Sequence, residues 1–141
     1  MTPAQMAAIH KQCFTTPRPW RAEEFAETLS KKFYFCLSED QGFLIGRVIA
    51  GEAELTTIAV APAARRQGIA RRLMARFDDE LRARNAEIAH LEVAMENHFA
   101  HALYLATGWS DSCIRENYYR HPDGKRSDAI LMVRDFGPDI F

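Results

Sequence analysis

The sequence predicts a mixed α/β (α+β) domain built around a mixed central β-sheet. Apolar residues recur every fourth position between Gln67 and about Asn85, as in an amphipathic helix. Segments rich in β-branched or alternating apolar residues lie on both sides of it, at 53–60 and 88–95. The two strands predicted last, 109–119 and 129–133, follow each other through a short turn. Such a connection favours a mixed sheet over a purely parallel one.

Length and composition indicate one domain, residues 1–141. The chain is 48% hydrophobic and 26% charged with a formal net charge of −1, and it is long enough to bury a core without disulfides or metals. This charge does not favour nucleic acid as a direct partner. No apolar run is long enough to span a membrane, and the N-terminus lacks the pattern of a signal peptide. We therefore expect a cytoplasmic protein that does not bind a membrane.

The cysteines and histidines argue against a disulfide framework and against a metal centre. Cys13, Cys36 and Cys113 are odd in number, far apart and without a C-x-x-C pair. His98 and His101 have i, i+3 spacing, which is too little for a metal site without supporting carboxylates. We expect reduced thiols and no bound metal.

The first elements in chain order are two helices, predicted over 3–14 and 22–31. Proline is well placed in the first turn of the earlier helix, and a turn-rich stretch at 15–19 separates the two. Trp20 begins the second segment and either covers a bound ligand or anchors the helix pair, the commoner fate of a lone tryptophan. The apolar positions predicted to face the core are Met6, Ile9, Cys13, Phe14, Phe25 and Leu29.

Strands and a third helix follow. Strands at 33–37 and 43–50 are joined by a polar hairpin at 38–42, and Gly51 turns the chain into the strand 53–60. The helix from Gln67 presents Ile69, Leu73, Phe77 and Leu81 on one face.

The second half continues with the strand 88–95. It places Leu91, Val93 and Met95 on one side and His90, Glu92 and Ala94 on the other. Asn97 then caps a helix through Thr107, which Gly108 ends, and the turn 121–124 joins the two closing strands.

The junction between the third strand and the long helix predicts a phosphate-binding site. The strand ends at 58–60, a turn follows at 61–64, and 65–70 opens the helix with Gly68 inside it. The N–H groups of a first helical turn have no partners within the helix, and the helix dipole is positive there, so both favour an anion. Glycine lets the backbone approach a bulky ligand. Five arginines and no acidic residue lie between Leu55 and Phe77: Arg65, Arg66, Arg71, Arg72 and Arg76.

Three residues of the second half are candidates for chemistry or ligand contact. Glu92 interrupts an otherwise apolar or neutral strand and is either a partly shielded general base with a raised pKa or a glutamate facing water. Tyr104 is either a core aromatic or a functional hydroxyl. Asn97 lies two helical turns before Tyr104, so both side chains can contact a ligand that crosses this helix, although Asn97 also serves as an N-cap.

These residues together resemble a known family. The strand and the segment Arg65-Arg66-Gln67-Gly68-Ile69-Ala70 resemble the acetyl-CoA-binding motif of the GNAT acetyltransferases, R/Q-x-x-G-x-G/A. Further motifs, in this order and spacing, are similar to the bacterial ribosomal-protein-alanine N-acetyltransferases of the RimI type. They are Leu91-Glu92-Val93, Asn97, Ala102-Leu103-Tyr104, Gly108, Asn117-Tyr118-Tyr119 and Asp128-Ala129-Ile130.

The resemblance implies a GNAT fold with helices on both faces of the sheet and acetyl-CoA as co-substrate. Members of the family begin with a strand ahead of the first helix, so the resemblance implies either that this N-terminal strand is missing here or that the sequence starts after it. It further implies Glu92 as proton acceptor and Tyr104 as proton donor to the leaving thiolate. The residues implied to hold acetyl-CoA are Ile58, Ala59, Val60, Arg65, Arg66, Gln67, Gly68, Ile69, Ala70, Arg71 and Asn97. Those implied to contact the acceptor are Trp20, Asn117, Tyr118 and Tyr119.

The implied activity is transfer of an acetyl group to the N-terminal α-amine of a protein, such as an alanine-starting protein of the small ribosomal subunit. An acetyltransferase for lysine side chains or small amines is an alternative within the same family. A catalytically idle acetyl-CoA-binding module is an alternative of another class, and the presence of Glu92 and Tyr104 argues against it.

Overall fold

The computed structural model describes residues 1–14 and 18–137 as a six-stranded sheet with four α-helices and one short 3₁₀ helix. The turn predicted at 15–19 therefore lies largely outside the described residues. The helices are α1 (Pro3–Cys13), α2 (Ala22–Ser30), α3 (Ile69–Ala83) and α4 (His98–Ala106), with the 3₁₀ turn at Pro62–Ala64. The strands are β1 (Tyr34–Glu39), β2 (Gly42–Ile49), β3 (Glu52–Val60), β4 (Ile88–Ala94), β5 (Ser110–Arg120) and β6 (Arg126–Asp135).

The sheet is mixed, as predicted, with strand order β1-β2-β3-β4-β6-β5. Only β3 and β4 pair in parallel, and they are joined through α3. The other four neighbouring pairs are antiparallel. The last strand, β6, inserts between β4 and β5, so β5 forms an edge of the sheet.

Helices cover both faces of the sheet, as the resemblance implied. The larger core cluster packs α3 and α4 against one face, with Leu73, Phe77 and Tyr104 among its buried side chains. A smaller cluster packs α1 and α2 against the other face of β1–β3, with Phe25 and Phe43 at its centre. The predicted helical stripe is confirmed, because Ile69, Leu73, Phe77 and Leu81 are all buried. No helix in residues 1–14 or 18–137 is long and apolar enough to cross a membrane.

Several element boundaries differ from the prediction, and three of the differences have a physical reason. The hairpin predicted at 38–42 is shorter, because Ser38, Glu39 and Gly42 belong to the strands and the turn is made by Asp40 and Gln41. Gln41 adopts φ 64°, which such a tight turn requires. The strand β6 begins at Arg126 rather than Ala129, since its polar first residues extend the pairing with β5. The helix α3 begins at Ile69 rather than Gln67, after a left-handed Gly68.

Strands β3 and β4 separate soon after they start. Their pairing covers only Glu52–Glu54 with Ile88–His90, although β3 continues to Val60 and β4 to Ala94. A bulge at Thr56 shifts the register between β2 and β3 just beyond the last paired residue. The result is a gap in the sheet, which we call the β3–β4 gap, with Ile58–Val60 on one side and Leu91–Ala94 on the other.

Candidate active site

The β3 wall of the gap presents main-chain hydrogen-bonding groups. The Ala61 N–H donates to the Gln41 carbonyl at 2.8 Å, so Ala61 lies in a hydrogen-bonded pair with β2. Antiparallel pairing alternates from residue to residue, so Val60 and Ile58 direct their N–H and carbonyl groups to the opposite edge, towards the gap. Of the three residues predicted here, Ile58 presents both backbone groups to the gap and Val60 presents its N–H, whereas Ala59 bonds towards β2. The Val60 carbonyl already accepts hydrogen bonds from Cys13 Sγ and from Arg65, both at 3.3 Å.

The loop before α3 has the backbone conformation of an anion site. Arg66 and Gly68 have φ of 66° and 79°, so consecutive amides turn in a left-handed conformation. The first helical hydrogen bond runs from the Arg72 N–H to the Gly68 carbonyl at 3.0 Å. Among the described residues, no backbone carbonyl accepts from the N–H groups of 66–71. Six successive amides are thus available to an anion at the positive end of α3.

The arginines of this region divide into two groups. Arg65 donates to the Val60 carbonyl at 3.3 Å, Arg72 pairs with Glu39 at 2.8 Å and bonds the Gln67 carbonyl at 2.9 Å, and Arg76 donates to the Ser38 carbonyl at 2.8 Å. Arg72 and Arg76 thus fasten α3 to the β1–β2 hairpin, whereas Arg65 ties the loop to the end of β3. Within the described part of the chain, the side chains of Arg66 and Arg71 form no hydrogen bond or ion pair and remain available to a ligand.

Glu92 lies on the face of β4 opposite to Tyr104. Its neighbours Leu91 and Val93 are buried in the core with Tyr104, so alternation sends Glu92 to the other face. Its side chain is 26% exposed, and its Oε1 lies 3.2 Å from Nη1 of Arg115. Tyr118 reaches the same carboxylate, and a hydrogen bond to Glu92 raises the pKa of the Tyr118 hydroxyl. The structure thus brings the predicted base together with one predicted acceptor-contact residue.

Two further tyrosines lie close to this group. Burial raises the pKa of Tyr104 well above its ordinary value, and Tyr119 adds to the effect. Burial and the negative charge of Glu92 raise the pKa of Tyr119 to about 12. Both hydroxyls therefore stay protonated at neutral pH and can act as proton donors.

Asn97 and Asn117, both predicted to contact a ligand, take part in hydrogen bonds that shape the local backbone. Asn97 accepts a hydrogen bond from the Ala100 N–H at 3.2 Å and caps α4. Asn117 adopts φ 53° in a bulge of β5, where its N–H donates to Asp128 Oδ1 at 2.9 Å. The Asn97 cap fixes where α4 starts, beside the end of β4, and the Asn117 bulge shapes β5 next to Tyr118.

Trp20 anchors the two N-terminal helices. Its ring centroid lies 5.1 Å from that of Phe25, and its backbone N–H donates to Nδ1 of His10 at 3.0 Å. Of the two alternatives for Trp20, this packing supports the anchor. Its ring also lines an open cleft with Ala7, Ala8, Lys11, Arg18, Pro19 and Arg21.

The sequence did not single out His10 or Arg115. His10 is 2% exposed, and its Nε2 lies 3.2 Å from the Thr57 hydroxyl, so it connects α1 to β3. His10 follows Ile9 in α1, whose spacing of apolar residues already predicted a buried face, so the histidine gave no separate signal. Arg115 belongs to a fully exposed stretch of β5 that contains other charged residues, so only the strand order reveals its partner. In the described ranges, no three His, Cys, Asp or Glu side chains are grouped to hold a metal ion.

Comparison with known proteins identifies the family. The sequence model of the "Acetyltransferase (GNAT) family" matches residues 4–109. The ribosomal protein bS18-alanine N-acetyltransferase of Escherichia coli K12 is 38% identical over 131 residues, 90% of this chain and 88% of that protein. The crystal structure of the ribosomal-protein-S18-alanine N-acetyltransferase from E. coli superposes with a TM-score of 0.84 at 33% identity, covering 97% of this chain and 89% of that one. Arabidopsis thaliana NAA60 in complex with acetyl-CoA shares the fold, with a TM-score of 0.81 at 15% identity and 96% of each chain covered.

The chain therefore belongs to the GNAT family of acetyltransferases. It is an acetyl-CoA-dependent N-acetyltransferase, as the motifs predicted. The geometry of the gap fits a long ligand with a pyrophosphate: backbone groups line one wall, and unpaired amides lie at the start of α3. The Thr56 hydroxyl, two residues beyond the last paired residue of β3, is also buried without a hydrogen-bond partner in the described chain.

Proposed function

We propose that this enzyme transfers the acetyl group of acetyl-CoA to the N-terminal α-amine of a protein, an alanine-starting protein of the small ribosomal subunit. The observation that carries the proposal is the 38% identity, over 90% of the chain, to an enzyme named as an alanine N-acetyltransferase of ribosomal protein bS18. The carboxylate and tyrosines around Glu92 support it, because they suit a basic chain terminus.

Acetyl-CoA, which supplies the activated thioester, has a set of matching protein groups. The amides of 66–71 and the side chains of Arg66 and Arg71 would hold its pyrophosphate. The gap-facing backbone of Ile58 and Val60 would hold its extended arm in the way that a neighbouring strand is held. In this assignment Arg65 acts indirectly, by fixing the Val60 carbonyl.

The acceptor amine attacks the thioester carbon from the Glu92 side of the sheet. Glu92 accepts the proton that the amine loses, directly or through water, and a gap-facing N–H of β3 stabilises the developing oxyanion. Tyr104, a protonated hydroxyl whose pKa burial raises further, donates a hydrogen bond or its proton to the leaving sulfur from the opposite side of β4. One base is sufficient, since an α-amine with a pKa of about 7.7–8.0 is partly neutral near pH 7, unlike lysine at about 10.4.

The test is acetylation of matched peptides by the purified enzyme. One peptide begins with a free alanine and contains no lysine, and the second has the same sequence with a blocked terminus and one internal lysine. Mass spectrometry should show acetyl transfer to the first peptide alone. Transfer to the second peptide, or to a polyamine, would replace the proposal by the lysine or small-amine alternative.

The acceptor in the cell is tested by mass spectrometry of ribosomal proteins with and without the gene. We expect one alanine-starting small-subunit protein to lose its acetyl group. Unchanged ribosomal proteins would exclude a ribosomal acceptor even if the peptide with free alanine is acetylated in vitro.

A further inference from the structure

Arg115 and Tyr118 reach Glu92 from two strands away. Glu92 lies on β4 and both partners lie on β5, with β6 between them. Two strand spacings amount to roughly 9–10 Å, which only long side chains can span. Arg115 nevertheless brings its Nη1 to 3.2 Å from Glu92 Oε1. A contact over this distance needs a clear path across β6.

The residues of β6 leave that path open. Ala129 lies opposite Ala94 of β4 and opposite Arg115 of β5, so all three side chains share the face that carries Glu92. The methyl groups of Ala94 and Ala129 leave room for an extended guanidinium side chain, which reaches Glu92 diagonally past Leu131, the β6 residue directly opposite Glu92. A larger residue in place of Ala129 would lie in the path of Arg115.

The three side chains also contact one another. The Arg115 guanidinium lies over the Tyr118 ring, with 5.4 Å between its carbon and the ring centroid. Tyr118 in turn bonds Glu92, and this bond raises the pKa of the Tyr118 hydroxyl. Arg115 therefore touches both groups, and each member of the cluster restrains the other two.

We propose that Arg115 is a positioning residue for the reaction: from β5 it fixes the orientation of the Glu92 carboxylate and balances its negative charge. A carboxylate on a half-buried strand has several rotamers, and an ion pair across β6 together with the Tyr118 bond selects one of them. Both restraints come from the β5 side, so the carboxylate edge nearer the β3–β4 gap remains open to the acceptor amine. This inference rests on the proposed role of Glu92 as the base.

The experiment compares single-turnover acetyl transfer in the wild type, Arg115→Gln, Arg115→Lys and Glu92→Gln, with a saturating acceptor peptide. Arg115→Gln keeps the polarity but loses the charge, the planar fork and the reach of the guanidinium, and we expect a rate about tenfold lower, since a small misplacement of a catalytic group is costly. The KM values for acetyl-CoA and peptide should change less than about threefold, because Arg115 contacts neither in this assignment. Arg115→Lys, which keeps the charge, should recover part of the rate.

Two further measurements separate positioning from a merely structural role. In a Glu92→Gln background, Arg115→Gln should have no additional effect, because the group it positions is gone. Arg120→Gln, a matched neutralisation on the same strand, should leave the rate unchanged.

The outcomes distinguish this inference from the proposed function. A full rate in Arg115→Gln, or an equal further loss in the Glu92→Gln background, would overturn the positioning role while leaving the acetyltransferase assignment intact. If the wild type prefers lysine or a small amine, the proposed acceptor is wrong, and the same comparison is made with the preferred amine. A full rate in Glu92→Gln would remove the base and this inference together.

Discussion

The two walls of the β3–β4 gap are built on different principles. The β3 wall and the start of α3 offer backbone groups, held in place by two left-handed residues, Arg66 and Gly68. The β4 wall offers side chains: Glu92 on one face of the strand, and Tyr104, which comes from α4, packed against the other face. Backbone groups are suited to holding a ligand that is the same in every turnover, whereas ionisable side chains are needed to move protons. In the mechanism proposed above, one wall therefore binds acetyl-CoA and the other carries out the chemistry.

Glu92→Gln is the strongest test of this division. The variant should keep its fold and its affinity for acetyl-CoA, because the carboxylate belongs to the other wall. Its rate should fall by about 10²–10⁴-fold, the usual contribution of a general base. Calorimetry with acetyl-CoA and single-turnover kinetics with the alanine peptide measure the two quantities separately. Weakened cofactor binding would contradict the division, and an unchanged rate from pH 6 to 9 would leave Glu92 as a strand residue.

Gly68→Val tests the opposite wall. Gly68 has φ 79°, and a Cβ there would lie 3.1 Å from Arg72 Nη1, so a β-branched side chain strains the loop and crowds its amides. Loss of one charge-assisted hydrogen bond costs about 1.5–3 kcal/mol, so we expect acetyl-CoA to bind about ten- to a hundredfold more weakly. Calorimetry measures the affinity, and thermal unfolding shows whether the fold persists.

Gly124→Val is the matched control for that substitution. Gly124 has a similar φ of 85° and nothing within 4 Å of its Cβ, and it lies in the β5–β6 turn. The backbone strain should therefore be alike, but acetyl-CoA affinity should stay at the wild-type level. Equal losses of affinity in both variants would mean that strain alone, and not the loop before α3, controls binding.

The same division explains how much the sequence could predict. The β3 wall and the loop before α3 are continuous in the chain, and a glycine favours the left-handed conformation found at Gly68, so the sequence of 58–71 predicted a phosphate-binding site. Glu92 became a candidate because a carboxylate interrupts an apolar strand, and Tyr104 because it follows Asn97 by two helical turns and matches the family motif. The Arg115 contact depends on β6 inserting between β4 and β5, which no local pattern indicates. His10 was missed because a histidine within the apolar face of a helix does not interrupt the helical spacing of the apolar residues around it.

His10 provides a pH-dependent test of the β3 wall. It accepts a hydrogen bond from the Trp20 N–H and contacts the Thr57 hydroxyl, one residue before Ile58. Burial lowers the pKa of His10 from 6.5 to about 4, partly offset by Glu24. The unfolded chain therefore binds a proton more readily, so the stability that neutral His10 contributes is present above pH 6.5 and is lost as the pH falls towards 4. Because the unfolded chain takes up this proton more readily, the free energy of unfolding falls by about 2 kcal/mol between pH 7 and pH 5.

Urea unfolding at several pH values measures this loss, with His10→Gln as the comparison. Glutamine can accept from Trp20 and donate to Thr57 without titrating in this range. The variant should lose less stability than the wild type over the same interval, by about 2 kcal/mol. If the free energy of unfolding falls equally with pH in the two proteins, groups other than His10 cause the pH dependence.

Tyr104→Phe should have the smallest effect. It tests whether a residue on the face of β4 opposite to Glu92 also takes part in the reaction. Phenylalanine preserves nearly all the buried area of Tyr104, so stability and acetyl-CoA affinity should change little. The rate should fall by roughly three- to tenfold, less than the usual contribution of a general acid, because a coenzyme A thiolate is already a fair leaving group. Single-turnover transfer with saturating peptide is the measurement, since it excludes product release. Tyr34→Phe on β1, away from the gap, is the control and should match the wild type. If Tyr104→Phe also matches it, the buried hydroxyl has no part in the reaction, and the chemistry lies wholly on the Glu92 face.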